Sequence, residues 1–303
     1  MHAWPTTPID VRAVREPAEL QAESAMKAGA IFGALLLLVY IAMTFGLLLL
    51  VLGAVVLVTE FGEWLALAHL RSNGVRVGPN QYPELDAMAE NFSSRMGIRR
   101  PEVFVVQQTL WNAFAARMVG NDIVVLYSGA IDSLLIGGRP EDLGFLLGHE
   151  LGHHAAGHLQ LAHRMLRLAF FVPFLPAWHR RTMELSCDRL ALAACGDASI
   201  AVRGLLSMTV GTTMASKTSV PAALEQWQQV RRQTGVSLHT LYSWYPHHLW
   251  RIESIVRSAE QWALPGLPSL LQGPQATAAL PVEAQAPATA IPPPPMAVPS
   301  ALS

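Results

Sequence analysis

The sequence has few of the residues that would mark a nucleic-acid-binding or disulfide-stabilised protein. Among its 303 residues the only lysines are Lys27 and Lys217, and the formal net charge is -1 at pH 7. Phosphate backbones are bound by concentrated positive charge, so we expect no nucleic-acid partner. Two cysteines, Cys187 and Cys195, are too few for a disulfide framework. On one helix they would lie about 12 Å apart along the axis, too far for a bridge, so both are expected to be free thiols.

Charge is absent altogether from residues 28 to 58, "AGAIFGALLLLVYIAMTFGLLLLVLGAVVLV". A membrane-spanning helix needs about 20 apolar residues, and this run is about ten residues longer. It therefore predicts either one tilted transmembrane helix or a hairpin that folds back. A cleaved signal peptide is disfavoured because the run is too long and starts too late. The basic residues on its two sides are nearly balanced, so they do not determine the orientation.

Composition divides the chain into four predicted segments. Residues 1–27 are polar and contain three prolines, so we expect a mobile N-terminal arm. A transmembrane segment at 28–59 precedes the folded domain at 60–264. Residues 265–303 are rich in proline and alanine, a composition that cannot bury enough apolar surface to fold, and they are predicted to be disordered.

Periodicity within the folded domain predicts both helices and strands. Residues 83–96 have apolar side chains at helical spacing. Short β-branched strands are predicted at 101–107 and 121–129, with a possible third at 112–117. The apolar segment 166–178 is too short to span a membrane and leaves two alternatives open, a loop packed over the core or a segment that dips into the membrane surface.

The stretch "PEDLGFLLGHELGHHAAGHLQLAHRML", residues 140–166, reads as one helix that carries a metal-binding motif. On a helix His149 and His153 are four residues apart, so both imidazoles leave the same face. Glu150 lies about 100° round the axis and can reach a water on a bound metal without being a ligand. This is the His-Glu-x-x-His arrangement of zinc peptidases, although a chance match is possible for so short a motif.

Three further histidines are poor candidates for the third ligand. A zincin class with a third histidine ten residues after the first is excluded, because Leu159 stands there. On a continuous helix His154 and His158 would point away from the ligand face, and we expect them to lie at the rim of the site or behind its ligands, exposed to solvent. His163 returns toward that face but about 21 Å along the axis from the first ligand.

The second strong helix, "RRTMELSCDRLALAACGD", offers better candidates. Glu184 could complete a His2Glu catalytic site with one position open for water, and Asp188, one turn on, could hold a ligand histidine by its other ring nitrogen. Cys187 is an alternative soft ligand but points elsewhere on this helix. Taken alone, these two carboxylates would more often belong to a solvated helix face with Arg181 and Arg189. Beside a zinc-binding helix, their interpretation as a metal ligand and its supporting residue is favoured.

Four blocks resemble the family of membrane-anchored zinc endopeptidases that includes HtpX-type stress proteases and CAAX prenyl endopeptidases. The resemblance covers residues 75–260 through the blocks "NAFA", "GHELGHHAAGH", "RTMELSCD" and "YPHHLWRIESI". It implies an α+β, mainly helical fold: a zincin-like metallopeptidase domain of the gluzincin type with a small sheet and an N-terminal transmembrane helix or hairpin. It also implies one Zn²⁺ per chain, with Glu184 as the third ligand.

The resemblance further implies how a polypeptide substrate is held. Asn112, Ala113, Phe114 and Ala115 match the family's edge strand, where the substrate backbone pairs. Such pairing would add the substrate as a strand to the sheet.

The last block departs from the family pattern at one position. Pro246 and Arg251 keep their spacing, but Tyr245 stands where the family usually has histidine. A tyrosine hydroxyl is also a neutral donor at pH 7, so Tyr245 is expected to stabilise the oxyanion that develops during hydrolysis. His247 or His248 could serve instead.

These features together predict a membrane-anchored zinc-dependent endopeptidase with polypeptide substrates and a lipid membrane as its partners. The alternative is a metal-binding, weakly catalytic or non-catalytic chaperone-like module, for which the tyrosine is the only support. A purely structural zinc site is disfavoured because it would use four protein ligands. From the resemblance we expect an integral protein of the bacterial inner membrane with its catalytic domain in the cytoplasm.

Overall fold

The computed structural model describes residues 3–44, 46–108, 113–136 and 140–272. Within them the fold is mainly helical with one small mixed sheet, which confirms the predicted α+β class. The strands are β1 (Val75–Arg76), β2 (Glu102–Val106), β3 (Ala113–Met118) and β4 (Asn121–Tyr127). The helices are α1 (Val11–Val14), α2 (Pro17–Met43), α3 (Leu47–Asn73), α4 (Pro83–Arg95), α5 (Ser128–Ile136), α6 (Leu143–Ala155), α7 (Leu161–Arg164), α8 (Leu175–Cys195), α9 (Ala198–Val210), α10 (Thr212–Ala215), α11 (Val220–Val230), α12 (Thr234–Tyr242), α13 (His248–Gln261) and α14 (Leu267–Leu271).

The sheet has the strand order β1-β2-β4-β3. β2 and β4 run parallel, whereas β3 pairs antiparallel with β4. Both central strands are rich in valine, which suits a pleated surface buried between helices. All three strands predicted from the sequence are present, and β3 is an edge strand of the sheet in the described part of the chain.

The long apolar run is divided between two helices. α2 and α3 have 27 residues each and mean hydropathy values of 2.0 and 1.9 in their most apolar windows. Each is long and apolar enough to cross a membrane. The break lies at Thr44 and Gly46, and the latter adopts φ +80°, a left-handed conformation that glycine accepts without strain. The segment is thus a hairpin of two full-length helices.

The N-terminal residues pack against the domain, so the predicted mobile arm is not observed. The Trp4 ring lies edge-on to Phe92 with centroids 5.0 Å apart. The first turns of α2 then bury Glu19, Ala22 and Met26. The prediction rested on the polar average composition of this segment, which does not reveal its few apolar side chains. Burial of these side chains offsets the conformational entropy lost when the segment is ordered.

The predicted boundaries at residues 60 and 265 are also not structural breaks. α3 continues to Asn73 and buries Leu67 and Leu70 against one face of the sheet. At the other end, the Pro265 carbonyl accepts a hydrogen bond from the Ala198 amide, and Leu267 joins the core beside α9. The first residues of the predicted disordered tail are therefore folded, and the remainder lies outside the described residues.

The metal-motif helix is shorter than predicted. α6 ends at Ala155, and the chain reverses at Gly157, where φ is +78°. α7 and a 3-10 helix at Met165–Ala169 follow in place of a continuous helix. Positive φ at glycine is a common way for a helix to end. Gly157 therefore ends the helix, whereas Gly148, at the other end of the motif, has a different role.

Gly148 lets α6 approach α8 closely. A Cβ atom added there would lie 3.1 Å from the Cα atom of Ala191, and one at Gly152 would lie 3.3 Å from the Cα atom of Cys187. These contacts are with backbone, which cannot rotate away. The absence of side chains on this face of α6 therefore sets the distance between the two helices.

The apolar segment 166–178 packs against the beginning of the hairpin. Phe171 contacts Phe32 on α2, with ring centroids 5.8 Å apart. Phe170 and Phe174 are exposed beside it. The segment therefore covers α2 on one side and presents aromatic rings on the other; insertion of these rings into a membrane surface stays a prediction.

Candidate metal centre

Helices α6 and α8 bring three potential ligands together. His149 and His153 on α6 and Glu184 on α8 each offer a ligand atom within 4.8 Å of the other two. The Nε2 atom of His149 is 3.3 Å from Glu184 Oε2, and that of His153 is 4.0 Å from Glu184 Oε1. All three residues are buried. The structure thus assembles the two motif histidines with the carboxylate that the sequence placed 31 residues further along the chain.

The donor atoms of this cluster fit a zinc ion. The Nδ1 atom of His149 is 2.9 Å from Asp188 Oδ1, and the Nδ1 atom of His153 is 3.0 Å from His158 Nδ1. With both Nδ1 atoms engaged, both Nε2 atoms are directed toward Glu184. Glu184 Oε1 has no hydrogen-bond partner among the described residues, although a buried carboxylate oxygen normally has one. Two imidazole nitrogens and one carboxylate are the donor set of a catalytic zinc site.

Asp188 connects this cluster to the block "YPHHLWRIESI" by a buried ion pair with Arg251. Its carboxylate accepts hydrogen bonds from Arg251 Nε at 2.7 Å and Arg251 Nη2 at 2.6 Å. Asp188 is completely buried and Arg251 nearly so. The carboxylate that contacts His149 is therefore held by a bidentate pair, which restricts the orientation of the imidazole.

The buried charges of the cluster shift the protonation of its members. Burial disfavours the charged form of His149, but its contacts with Asp188 and Glu184 outweigh this and raise its pKa to about 10. Glu184 is also buried, yet the two histidines hold its pKa well below the ordinary value. Because a metal ligand must be neutral imidazole, metal binding is expected to release a proton.

Glu150 lines a cavity of about 630 Å³ together with the three candidate ligands, His149, His153 and Glu184. Burial raises the pKa of Glu150 to about 7, and a hydrogen bond from the backbone of Ala115 acts in the opposite direction. A carboxyl group with a pKa near neutrality can both accept and return a proton.

The edge strand β3 forms one wall of the same cavity. Ala113, Phe114 and Ala115 line it, as expected for residues that would pair with a substrate backbone. Asn112, the fourth residue predicted for this contact, lies outside the described residues. The described residues of this edge and the predicted ligands thus line one cavity.

Tyr245 also lines the cavity. Its side chain is exposed, and its hydroxyl accepts a hydrogen bond from Arg180 Nη2 at 3.3 Å. The Arg180 guanidinium also lies over the tyrosine ring, 5.3 Å from its centroid. His247 instead contacts Thr240, with 2.7 Å between His247 Nε2 and Thr240 Oγ1. Of the residues considered from the sequence for the oxyanion, Tyr245 is the one that reaches the cavity.

Arg180 is a residue of the site that the sequence reasoning missed. Its Nε atom approaches Glu184 Oε1 to 3.0 Å, outside hydrogen-bond geometry. Arg180 and Glu184 are four residues apart on α8, and that spacing could have revealed the contact. Arg180 places a positive charge between the predicted third ligand and the tyrosine.

The expectation that His154 and His158 are solvated was wrong, but His158 does lie behind a predicted ligand, with its Nδ1 atom 3.0 Å from that of His153. His154 Nε2 lies 3.1 Å from the carbonyl oxygen of Ile123, and its side chain is buried. His158 is completely buried because the chain turns back after α6. His153, His158 and Cys187 form a second group with ligand atoms within 4.8 Å of one another, but burial raises the pKa of the Cys187 thiol well above its ordinary value and disfavours the thiolate that binds metals.

Two motif histidines, a downstream glutamate and a buried glutamate beside them are the arrangement found in HExxH metallopeptidases. Comparison with known proteins agrees with this class: residues 79–177 match Peptidase family M48. This region contains α6 and β3 but ends before Glu184. The recognition of an HtpX-type metalloprotease relative from the sequence is thereby confirmed.

Proteins that the chain resembles are named as a metallopeptidase or as proteases. Plastoglobule-localized metallopeptidase 48, chloroplastic, of Arabidopsis thaliana is 28% identical over 168 residues, which cover 50% of this chain and 48% of the relative. Protease HtpX homologs of Halobacterium salinarum and Moorella thermoacetica are 36% and 35% identical, over 35% and 25% of each chain. The chain spans about half the length, or less, of these relatives. No solved structure matches it.

Proposed function

We propose that this protein is a membrane-anchored zinc-dependent endopeptidase. The observation that supports this most directly is the convergence of His149, His153 and Glu184 beside a buried Glu150, at the wall of an open cavity. Three protein ligands leave a coordination position for water, whereas a structural site is closed by four. The match to a peptidase family and the similarity to HtpX-type relatives support the same reaction class.

The chain's own residues supply the remaining chemistry of peptide hydrolysis. A zinc ion held by the three ligands would act as a Lewis acid and lower the pKa of water toward 7. Glu150 accepts the proton of the attacking water and delivers it to the departing amine. Its burial and raised pKa suit both transfers.

The substrate is held by the edge of the sheet and another part of the cavity wall. β3 binds an extended peptide by main-chain hydrogen bonds, which positions one carbonyl group over the ligands. The Tyr245 hydroxyl, held by Arg180, donates a hydrogen bond to the oxyanion that develops on that carbonyl. This arrangement recognises peptide backbone and therefore admits membrane-associated or misfolded polypeptides with many side-chain sequences.

The hairpin of α2 and α3 is the membrane anchor. The start of α2 and the end of α3 both pack on the folded domain, so the two helices cross the bilayer in opposite directions and the domain stays on one side. The exposed apolar surfaces of both helices are suited to lipid. We place the catalytic domain in the cytoplasm at a bacterial inner membrane, on the family resemblance.

The deciding experiment is casein cleavage by the purified full-length protein in detergent. We expect cleavage with one zinc ion per chain, loss of cleavage on chelation, and recovery on adding zinc. Glu150→Gln should retain zinc and lose activity by orders of magnitude. Glu260→Gln, an exposed glutamate on α13, is the matched control and should cleave normally.

The alternative is a metal-binding module that holds polypeptides and cleaves them poorly. Its support is the tyrosine at position 245 in place of histidine. A wild-type protein that contains zinc but cleaves casein no faster than Glu150→Gln would favour this alternative. Absence of zinc from the purified protein, even after reconstitution, would contradict both functions.

A further inference from the structure

Glu19 is a completely buried carboxylate in the first turn of the N-terminal apolar helix α2. A charge is rarely buried without partners, because desolvation costs several kcal/mol. Arg15 provides one, with its Nε atom 3.1 Å from Glu19 Oε2 and its Nη2 atom 2.5 Å from Oε1. The second partner is His158, which follows α6 in the chain; its Nε2 atom is 2.6 Å from Glu19 Oε1.

His158 connects Glu19 to the metal cluster. It follows the turn at Gly157, and its backbone amide donates to the His153 carbonyl at 3.0 Å. That turn directs the His158 ring back toward α6. Its Nδ1 atom is 3.0 Å from the Nδ1 atom of His153, so both ring nitrogens of His158 have partners.

One assignment of protons satisfies both contacts with neutral rings. His153 must keep the lone pair of its Nε2 atom for a metal, so its Nδ1 atom carries the proton and donates to His158 Nδ1. His158 then carries its proton on Nε2 and donates to Glu19, which as a carboxylate can only accept. The direction of every hydrogen bond follows from the charge of Glu19.

The two motif histidines are therefore oriented by different carboxylates. His149 donates directly to Asp188 on α8, whereas His153 reaches Glu19 through His158. Outer partners of this kind fix the tautomer and ring orientation of ligand histidines, and losing one typically lowers metal affinity about 10–100-fold. The second carboxylate comes from the hairpin rather than from the peptidase domain.

We infer that Glu19 is a positioning residue of the metal centre, which acts through His158 to hold His153 in its metal-binding tautomer and orientation. The inference rests on the proposed zinc site and assigns the N-terminal helix a role in metal binding besides anchorage. A domain freed from residues 1–59 would lack this carboxylate. Its metal affinity should be low even where the domain is soluble.

The test measures zinc affinity by competition with a chromogenic chelator, on the full-length protein in detergent. We expect Glu19→Leu and His158→Leu each to raise the zinc Kd about 10–100-fold. Glu23→Gln is the matched control: Glu23 lies one turn further along α2 and also pairs with Arg15, but it does not contact His158. Its zinc Kd should stay within about threefold of wild type.

A double-variant cycle separates a relay from independent packing effects. If Glu19 acts through His158, then Glu19→Leu should have little further effect on zinc Kd in a His158→Leu background. His158→Gln can still accept from His153 and donate to Glu19, so it should bind zinc more tightly than His158→Leu. Thermal melting of the metal-free proteins identifies any variant that fails to fold.

The visible spectrum of the cobalt-substituted protein gives a second readout. Reorientation of His153 should change the ligand-field bands in Glu19→Leu and leave them unchanged in Glu23→Gln. Wild-type zinc affinity and spectra in Glu19→Leu and His158→Leu would overturn the inference, as would simple additivity of their effects. Two zinc ions per chain, one of them lost in Cys187→Ser, would also overturn it, because His158 would then be a ligand. Failure of the proposed function would give a different result. In that case the wild-type protein would bind no zinc, or Glu184→Ala would bind zinc as tightly as the wild type.

Discussion

The buried pair of Asp188 and Arg251 allows a prediction that separates stability from metal binding. In Asp188→Asn the guanidinium keeps at most one of its two hydrogen bonds and loses its countercharge in a buried site. Removing one partner of a buried ion pair costs about 3–5 kcal/mol, because the other charge is left uncompensated. For a domain of this size each kcal/mol lowers the melting temperature by about 2–4 °C, so the metal-free variant should melt about 6–20 °C below wild type. Zinc affinity should fall about 10–100-fold as well, because His149 loses its carboxylate.

The double variant Asp188→Asn with Arg251→Met distinguishes the two effects. Removing the arginine eliminates the unpaired charge, so most of the lost melting temperature should return. Zinc affinity should stay low, because the carboxylate that orients His149 is still missing. The assays are thermal unfolding in detergent with a chelator present and zinc competition. A single variant that melts within about 2 °C of wild type, or a double variant that recovers both properties, would refute the reasoning.

Three further predictions follow from the cavity and its supports. Tyr245→Phe should lower kcat about 10²–10³-fold at unchanged zinc content and KM, and Tyr245→His should retain substantial activity; an unchanged kcat in the Phe variant would contradict the oxyanion assignment. Gly148→Val should lower zinc affinity, because its side chain would meet the Ala191 backbone and separate α6 from α8; normal zinc affinity would show that the helices can adjust. Burial lowers the pKa of His163 and His179 to about 4 from 6.5. Between these pH values the unfolded chain therefore binds more protons than the folded chain. The contribution of the two histidines to the free energy of unfolding is fully present above pH 6.5 and should decline as the pH falls toward 4. Chemical unfolding at several pH values should show a weaker decline in His179→Gln, and equal declines would exclude this histidine as a cause.

The packing of the N-terminal segment determines which residues a soluble form of the protein should retain. Composition predicted that the first 27 residues form a mobile arm, yet Glu19 and Trp4 pack into the folded domain. Composition averages over a segment and does not register two or three side chains that meet a distant surface. A soluble form for study should retain residues 3–27 as well as the domain.

Local spacing in the sequence determined the elements that depend on local geometry. His149 and His153 share a helix face because four residues make about one turn, and this holds wherever the helix lies. Strands β2 and β4 were predicted for a similar reason, since β-branched residues favour pleated, half-buried backbone, whereas the two-residue strand β1 was not predicted. The apolar run likewise indicated a membrane segment, because its length is compared with the bilayer and not with the rest of the chain, but it left one tilted helix and a hairpin as alternatives.

Only the tertiary structure decided which distant faces meet. The pairing of Asp188 with Arg251 and that of Glu19 with His158 join residues 63 and 139 positions apart, and no periodicity encodes such contacts. The end of α6 at Ala155 was decided in the same way: the helical pattern continues past this point, but the turn at Gly157 is stabilised by burial of His158 against α2. Periodicity specifies the face that an element presents, whereas packing and the pairing of buried charges select its partner.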